Sequence, residues 1–186
     1  MNVHSTAPTD PDAFLRWNEG REGKRELVNG RVVEMMTGAT FGHARRVRQL
    51  ARALEDVLYG AAFEVVTNDV GVKTPTTVRY PDILVDRSGT DPDSLIASAP
   101  ALIIEILSPS SIAIDMVAKA TEYMALPSLQ AYLVMAQQEP NVWLWVRETN
   151  GWQGPKLVDS VKGLIEIPPL GLSIPLKEFY LDFRTE

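Results

Sequence analysis

A mixed α/β domain is the fold class the sequence predicts, and three stretches predict it. Arg25-Glu26-Leu27-Val28, then Asn29-Gly30, then Arg31-Val32-Val33-Glu34-Met35-Met36 reads as a β-hairpin, because Asn-Gly tolerates positive φ at both turn positions. Residues 41–59 repeat Val47, Leu50, Ala51, Leu54, Val57 and Leu58 at helical spacing. Residues 101–107, 112–125 and 130–135 read as strand, helix and strand, a crossover long enough for parallel pairing. The chain has 186 residues, 45% hydrophobic and 23% charged, which suits a single domain over 1–186 with a sizeable core.

In chain order, residues 1–8 are expected to form a flexible tail. Asp10-Pro11-Asp12 starts a short helix that ends by Gly20: a capping carboxylate, proline in the first turn, and an acid favourable to the dipole. The hairpin and the 41–59 helix follow. His43 falls one turn before Val47, on the apolar side of that helix, while Arg45, Arg48 and Arg52 face away. Residues 63–67 and 70–72 read as strands. Residues 78–86 read as one strand in which Pro81 requires an edge, a bulge or a start. The polar stretch 88–98 is a surface connection, and the turn Ser108-Pro109-Ser110-Ser111 joins the 101–107 strand to its helix. In 142–146, Trp143 and Trp145 alternate with aliphatic residues, so the two faces meet different neighbours. Three prolines break the apolar 162–186 region into short strands and turns.

Composition narrows the function. Without cysteine there are no disulfides or thiolate metal sites, which fits a reducing, cytoplasmic setting, and no signal-peptide pattern or membrane-length apolar run is present. A net charge of −6 opposes broad electrostatic coating of nucleic acid, although it permits one local basic face with a bound metal. No Gly-rich phosphate loop, GxSxG elbow or HExxH occurs.

The chemistry centres on Glu105. It interrupts Ala101-Leu102-Ile103-Ile104-Glu105-Ile106-Leu107, a strand apolar on both faces, and an ionised carboxylate there needs a cation or a proton. Asp82 is the other acid set in apolar strand sequence. With a backbone carbonyl and waters the two suit magnesium or manganese. On Asp82 alone, a surface turn after Pro81 is the better explanation. Lys119 lies one helical turn after Asp115, which reads either as a solvated i,i+4 pair or as a cation beside the strand's carboxyl end. A lone apolar-face histidine such as His43 is ordinarily a hydrogen-bonded core residue. Glu26 reads as an exposed hairpin residue. Arg45, Arg46, Arg48 and Arg52 could bind phosphates or pair with Glu55 and Asp56.

Glu-Leu-Val-Asn-Gly (26–30), His43, Pro81-Asp82, Glu105-Ile106-Leu107-Ser108-Pro109-Ser110-Ser111, Asp115, Lys119 and Tyr123 together resemble the Uma-two family of predicted endonucleases, in the PD-(D/E)xK superfamily. The resemblance spans residues 10–180. It implies a restriction-endonuclease-like fold, with a central mixed β-sheet flanked by helices, and Mg2+- or Mn2+-dependent phosphodiester hydrolysis. Asp82 and Glu105 match the metal-binding acids, with the Ile106 carbonyl beside them. The superfamily's usual lysine position is Leu107 here, and Lys119 matches the lysine displaced onto the following helix. His43, Glu26 and Asp115 would support the site. Residues 130–136, Gln-Ala-Tyr-Leu-Val-Met-Ala, depart from the family's Glu-Tyr-Trp followed by an aspartate. DNA rather than RNA as the partner follows from the resemblance alone.

Two other readings stay open on the residues. One is a catalytically silent binding or assembly module, a homodimer or higher homo-oligomer for which the Trp143/Trp145 face would be a contact. The other is a metal-free, two-carboxylate hydrolase of another substrate.

Overall fold

The computed structural model describes residues 7–35, 38–107 and 114–180, and of Ile114 and Asp115 the backbone alone. The N-terminal helix forms as its cap dictates. Asp10 Oδ1 accepts the Ala13 N–H at 2.9 Å and Pro11 opens α1 (Pro11–Asn18). Asn29 and Gly30 take φ of 48° and 75° and close the hairpin of β1 (Arg25–Val28) and β2 (Arg31–Glu34). The pairing ends at Glu34, short of the expected Met36, which lies outside the described residues. Thr40 caps α2 (Phe41–Leu58) by accepting the His43 N–H at 3.2 Å.

Pro81 divides what reads in the sequence as one strand. Having no N–H, it cannot continue a ladder. The chain stops as β5 (Thr77–Arg79) and restarts as β6 (Ile83–Arg87), and the two belong to different sheets. With β3 (Phe63–Thr67) and β4 (Val72–Lys73) preceding them, the four-stranded sheet runs β2-β1-β5-β4.

The larger sheet is built on β7 (Pro100–Leu107), buried along its whole length as its doubly apolar sequence requires. The 108–111 turn lies outside the described residues. A π-helical turn, Ile114–Lys119, then runs into α3 (Ala120–Met124). The chain returns as β8 (Ala131–Ala136), parallel to β7, as the crossover predicts. β9 (Val142–Glu148) and β10 (Gly151–Val158) complete the order β10-β9-β8-β7-β6-β3, with every other pairing antiparallel. A hairpin of β11 (Leu164–Ile167) and β12 (Leu172–Pro175) and the short α4 (Leu176–Phe179) close the chain's described part.

Alternation along β7 sorts the core. Leu102, Ile104 and Ile106 meet Val47, Leu50, Leu54 and Leu58 of α2 on one face, together with the β11–β12 hairpin. Ile103 and Leu107 meet Tyr123, Tyr132 and Trp145 on the other. Glu105 has the parity of this second face. β9 divides as its alternation predicts, with Val142 and Leu144 on the first face and Trp143 and Trp145 on the second. Of the Trp143/Trp145 face expected as a subunit contact, Trp145 is buried against Tyr132, with ring centroids 5.4 Å apart, and Trp143 is half-buried.

Arg46 departs from its expected role. It is buried, its Nη1 donates to the Phe179 carbonyl at 2.7 Å, and it stacks over Tyr180 at 4.2 Å. It ties α2 to the C-terminal segment and is closed to phosphate. Arg45, Arg48 and Arg52 face out as expected, and Arg52 pairs with Asp56 at 3.9 Å.

Candidate active site

Asp82 stands where β6 has ended and β7 runs on. The register pairs Ile83 with Ile104, so Asp82 lies opposite Glu105, one step past the last ladder pair. There the Ile106 N–H has lost its strand partner, and Asp82 Oδ2 accepts it at 2.8 Å. The carboxylate thus replaces a ladder bond. An extended residue directs its N–H and C=O to the same side, so the Ile106 carbonyl faces this edge as well. His43, placed by the capped first turn of α2, meets the same Oδ2 through Nε2 at 3.2 Å. Its pKa is raised by that hydrogen bond, opposed by burial and reinforced by the charge of Asp82. The His43 side chain makes one hydrogen bond among the described residues, as the default core-histidine reading expects, and the partner is Asp82.

Glu105 answers the sequence's main question. It is 4% exposed, and its Oε1 accepts from Lys119 Nζ at 2.9 Å and from the Tyr123 hydroxyl at 3.0 Å. Lys119 is 7% exposed, so the ordinary surface-pair explanation does not apply to it. The position of the Asp115 side chain lies outside the described residues. Tyr123 is held protonated, its pKa raised well above the usual tyrosine value by burial first and then by the charge of Glu105. It is therefore a fixed donor. Sequence reasoning gave Tyr123 no role, although its spacing of four from Lys119 was a usable signal.

Glu26 is not the exposed strand residue expected. It is buried at 2%, accepting Arg79 Nη1 at 2.8 Å and the Tyr80 N–H at 3.2 Å. Arg79 grips Glu122 with Nε at 2.8 Å and Nη2 at 2.7 Å. Burial opposes the arginine's charge, but the carboxylates of Glu122 and Glu26 outweigh it and raise its pKa. Sequence reasoning missed Arg79 altogether. Its neighbours Val78 and Tyr80 made it look like one more strand residue.

The site therefore has two halves. Asp82, His43 and Glu26 line an open groove of about 990 Å³ bounded by α2, the loop after α1, and Thr67-Asn68-Asp69. Glu105 and Lys119 are not among its lining residues, and Glu105 has the parity of the sheet's second face. The backbone from Glu105 to Ile106 joins the halves.

The Asp82 and Glu105 carboxylates and the Ile106 carbonyl are all oxygen donors, the type a hard divalent ion takes. Asp82 Oδ1 carries no hydrogen bond among the described residues, and the strand register sets Asp82 opposite Glu105 and next to the Ile106 backbone. No cluster of three or more His, Cys, Asp or Glu side chains able to hold a metal occurs among the described residues. Two carboxylates and a carbonyl leave several positions to water, which is how magnesium is usually held.

Residues 11–177 match the model of the Uma2 family, described as "Putative restriction endonuclease". Uncharacterized protein slr1290 from Synechocystis sp. is 28% identical over 188 residues, covering 97% of each chain. Uncharacterized protein sll1609 from the same organism is 28% identical over 142 residues, covering 74% of this chain and 80% of its own. Among solved structures, "a putative nuclease belonging to DUF820" from Anabaena variabilis has a TM-score of 0.74 at 17% identity, covering 94% of this chain and 98% of that one. That likeness is one of fold, and it agrees with the central mixed sheet flanked by helices.

Proposed function

Because the chain belongs to the Uma2 family, we propose that it is a nuclease that hydrolyses phosphodiester bonds with a divalent metal, DNA being the expected substrate. The observation that carries this reading is the adjacency of Glu105 and Ile106. One residue holds Lys119 and the next binds Asp82, so the three expected catalytic groups hang on one short length of backbone. Asp82, Glu105 and the Ile106 carbonyl would hold Mg2+ or Mn2+, which when bound supplies charge neutralisation and acidifies water. Asp82 orients its free oxygen toward the groove. His43 steadies Asp82 from the α2 side. Lys119, ion-paired with Glu105, would offer its ammonium to a phosphate oxygen.

A second reading keeps a specific observation in its favour. Glu105 Oε1 is already engaged by a buried lysine and a buried tyrosine, as befits a structural ion pair in a silent binding module. The two-carboxylate hydrolase has no specific observation in its favour among the described residues.

Incubating supercoiled DNA, linear DNA and RNA with protein in Mg2+, Mn2+ or EDTA separates the first two readings. Expected are metal-dependent DNA cleavage and a loss of about 100-fold or more in Glu105→Gln and Lys119→Met. Metal titration of wild type and Glu105→Gln is the companion measurement. Equal affinity in both would sink the metal assignment, and metal binding without cleavage of any substrate would favour the silent module.

A further inference from the structure

The buried cluster around Arg79 touches none of the atoms assigned to the reaction, yet it joins the segments that carry them. Arg79 ends β5 and precedes Asp82 by three residues, where the link between the two sheets begins. Glu122 follows Lys119 by three residues and precedes Tyr123 by one. The guanidinium meets both oxygens of Glu122 as a fork on a fork, at 2.8 and 2.7 Å. Its remaining nitrogen reaches Glu26 on β1 at 2.8 Å, and Glu26 also holds the Tyr80 N–H. The link is thereby anchored by side chain and backbone on one side and tied to the lysine-bearing helix on the other.

That helix needs an external anchor. Its α-helical part is five residues long and follows a π-helical turn, far short of a helix that holds its own shape. Burial of Ala120 and Tyr123 draws it onto the sheet, but apolar contact is tolerant of small slides and rotations. A bidentate pair fixes both distance and plane. The arrangement also brings the two ionic clusters within electrostatic reach: Tyr123, which bonds Glu105, feels the charge of Glu26 as well.

We propose that Arg79 is a positioning residue whose fork on Glu122 sets the separation between the segment bearing Asp82 and the helix bearing Lys119, with Glu26 holding Arg79 in place. What the positioned groups accomplish rests on the nuclease reading. The positioning itself does not.

The test uses the full chain and two readouts. Glu122→Gln keeps the side-chain volume and removes the charged fork; at 14% side-chain exposure, Glu122 is also the least buried member of the cluster. Arg79→Lys keeps the charge and loses the fork. Native-state acetylation with acetic anhydride, followed by peptide mass spectrometry, reports access to Lys119, with the exposed Lys156 and Lys177 as internal references. Lys119 is expected to label about tenfold faster in both variants while the references stay unchanged. Cleavage kinetics should show kcat reduced about 100-fold with KM nearly constant, the signature of misplacement rather than lost binding. A folded Glu122→Gln protein whose Lys119 labels at the wild-type rate would overturn the proposal. If Arg79→Lys fails to fold, Glu122→Gln decides alone. If wild type cleaves nothing, the nuclease reading falls and the labelling arm still decides the positioning.

Discussion

His43 concentrates the residue-scale argument. A histidine on an apolar helix face is ordinarily a core residue, yet here its ring sits 3.2 Å from a carboxylate that caps the free end of a strand ladder. The raised pKa means that the folded state binds the imidazole proton more tightly than the unfolded chain does. The stabilisation is therefore fully present below the unfolded value, about 6.5, and is lost as pH rises through the higher folded value. His43→Gln removes the charge and retains an amide donor. Wild type should exceed this variant by about 1–2 kcal/mol near pH 5.5, a gap that closes toward about pH 9. Urea unfolding of both proteins across that range measures it. A gap that is flat, or that widens with pH, would show that the His43–Asp82 contact does not stabilise the imidazolium. Lys119 makes a different point at the same scale. Its i,i+4 spacing from Asp115 was fully explained by a surface pair, and only the observed contact with Glu105 assigns it to the interior. One-dimensional spacing along a helix cannot show that a lysine reaches an acid on a strand.

Elements were legible where local chemistry leaves one solution. Asn29-Gly30 is such a case, because few dipeptides accept two successive positive φ values at low cost, and the β1–β2 hairpin forms as read. Gly30 is constrained twice over. Its φ is +75°, and a Cβ would lie 3.2 Å from the Thr9 carbonyl oxygen, which a backbone cannot readily yield. Gly30→Val should cost about 1–3 kcal/mol in urea unfolding, with Gly38→Val as a comparison at another positive φ where a Cβ meets nothing within 4 Å. Equal losses at both positions would mean that the Thr9 contact adds nothing to the backbone penalty. Pro81 was legible as a constraint but not as an outcome. Its missing N–H allows an edge, a bulge or a break, and the choice of a break depends on two sheets that no local signal announces. Arg79 and Glu26 were illegible for the same reason. Each is an ordinary strand residue until the sheets and α3 bring a guanidinium between two carboxylates.

At the scale of the whole molecule, the mixed sheet was readable from a crossover helix between two apolar strands, and Glu105 from the rule that buried charge demands a partner. The groove was not readable, because its walls come from α1, α2, β3 and the link to β6, far apart in sequence. Its charge bears directly on the net −6 that opposes nucleic-acid binding. Lys24, Arg25, Arg48 and Arg52 line it, against Glu19, Glu26, Glu55, Asp69 and Asp82. Lys24 pairs with Asp69 at 3.1 Å, Arg25 approaches Glu34 at 3.8 Å, and Arg52 pairs with Asp56. Arg48 has no such partner among the described residues. A phosphate backbone entering this groove would meet four lysine and arginine cations among the described residues, three of them already engaged by acids. Binding to duplex DNA at constant divalent concentration should then show log K falling with log salt at a slope no steeper than about −3.6. Arg48→Ala should flatten that slope by about 0.9 and weaken binding evenly across sequences. Fluorescence anisotropy with the Glu105→Gln protein, in which cleavage is expected to be suppressed, supplies the measurement. A slope near −6 or beyond would place the phosphate contacts on cations outside the groove and remove its claim to be the nucleic-acid site.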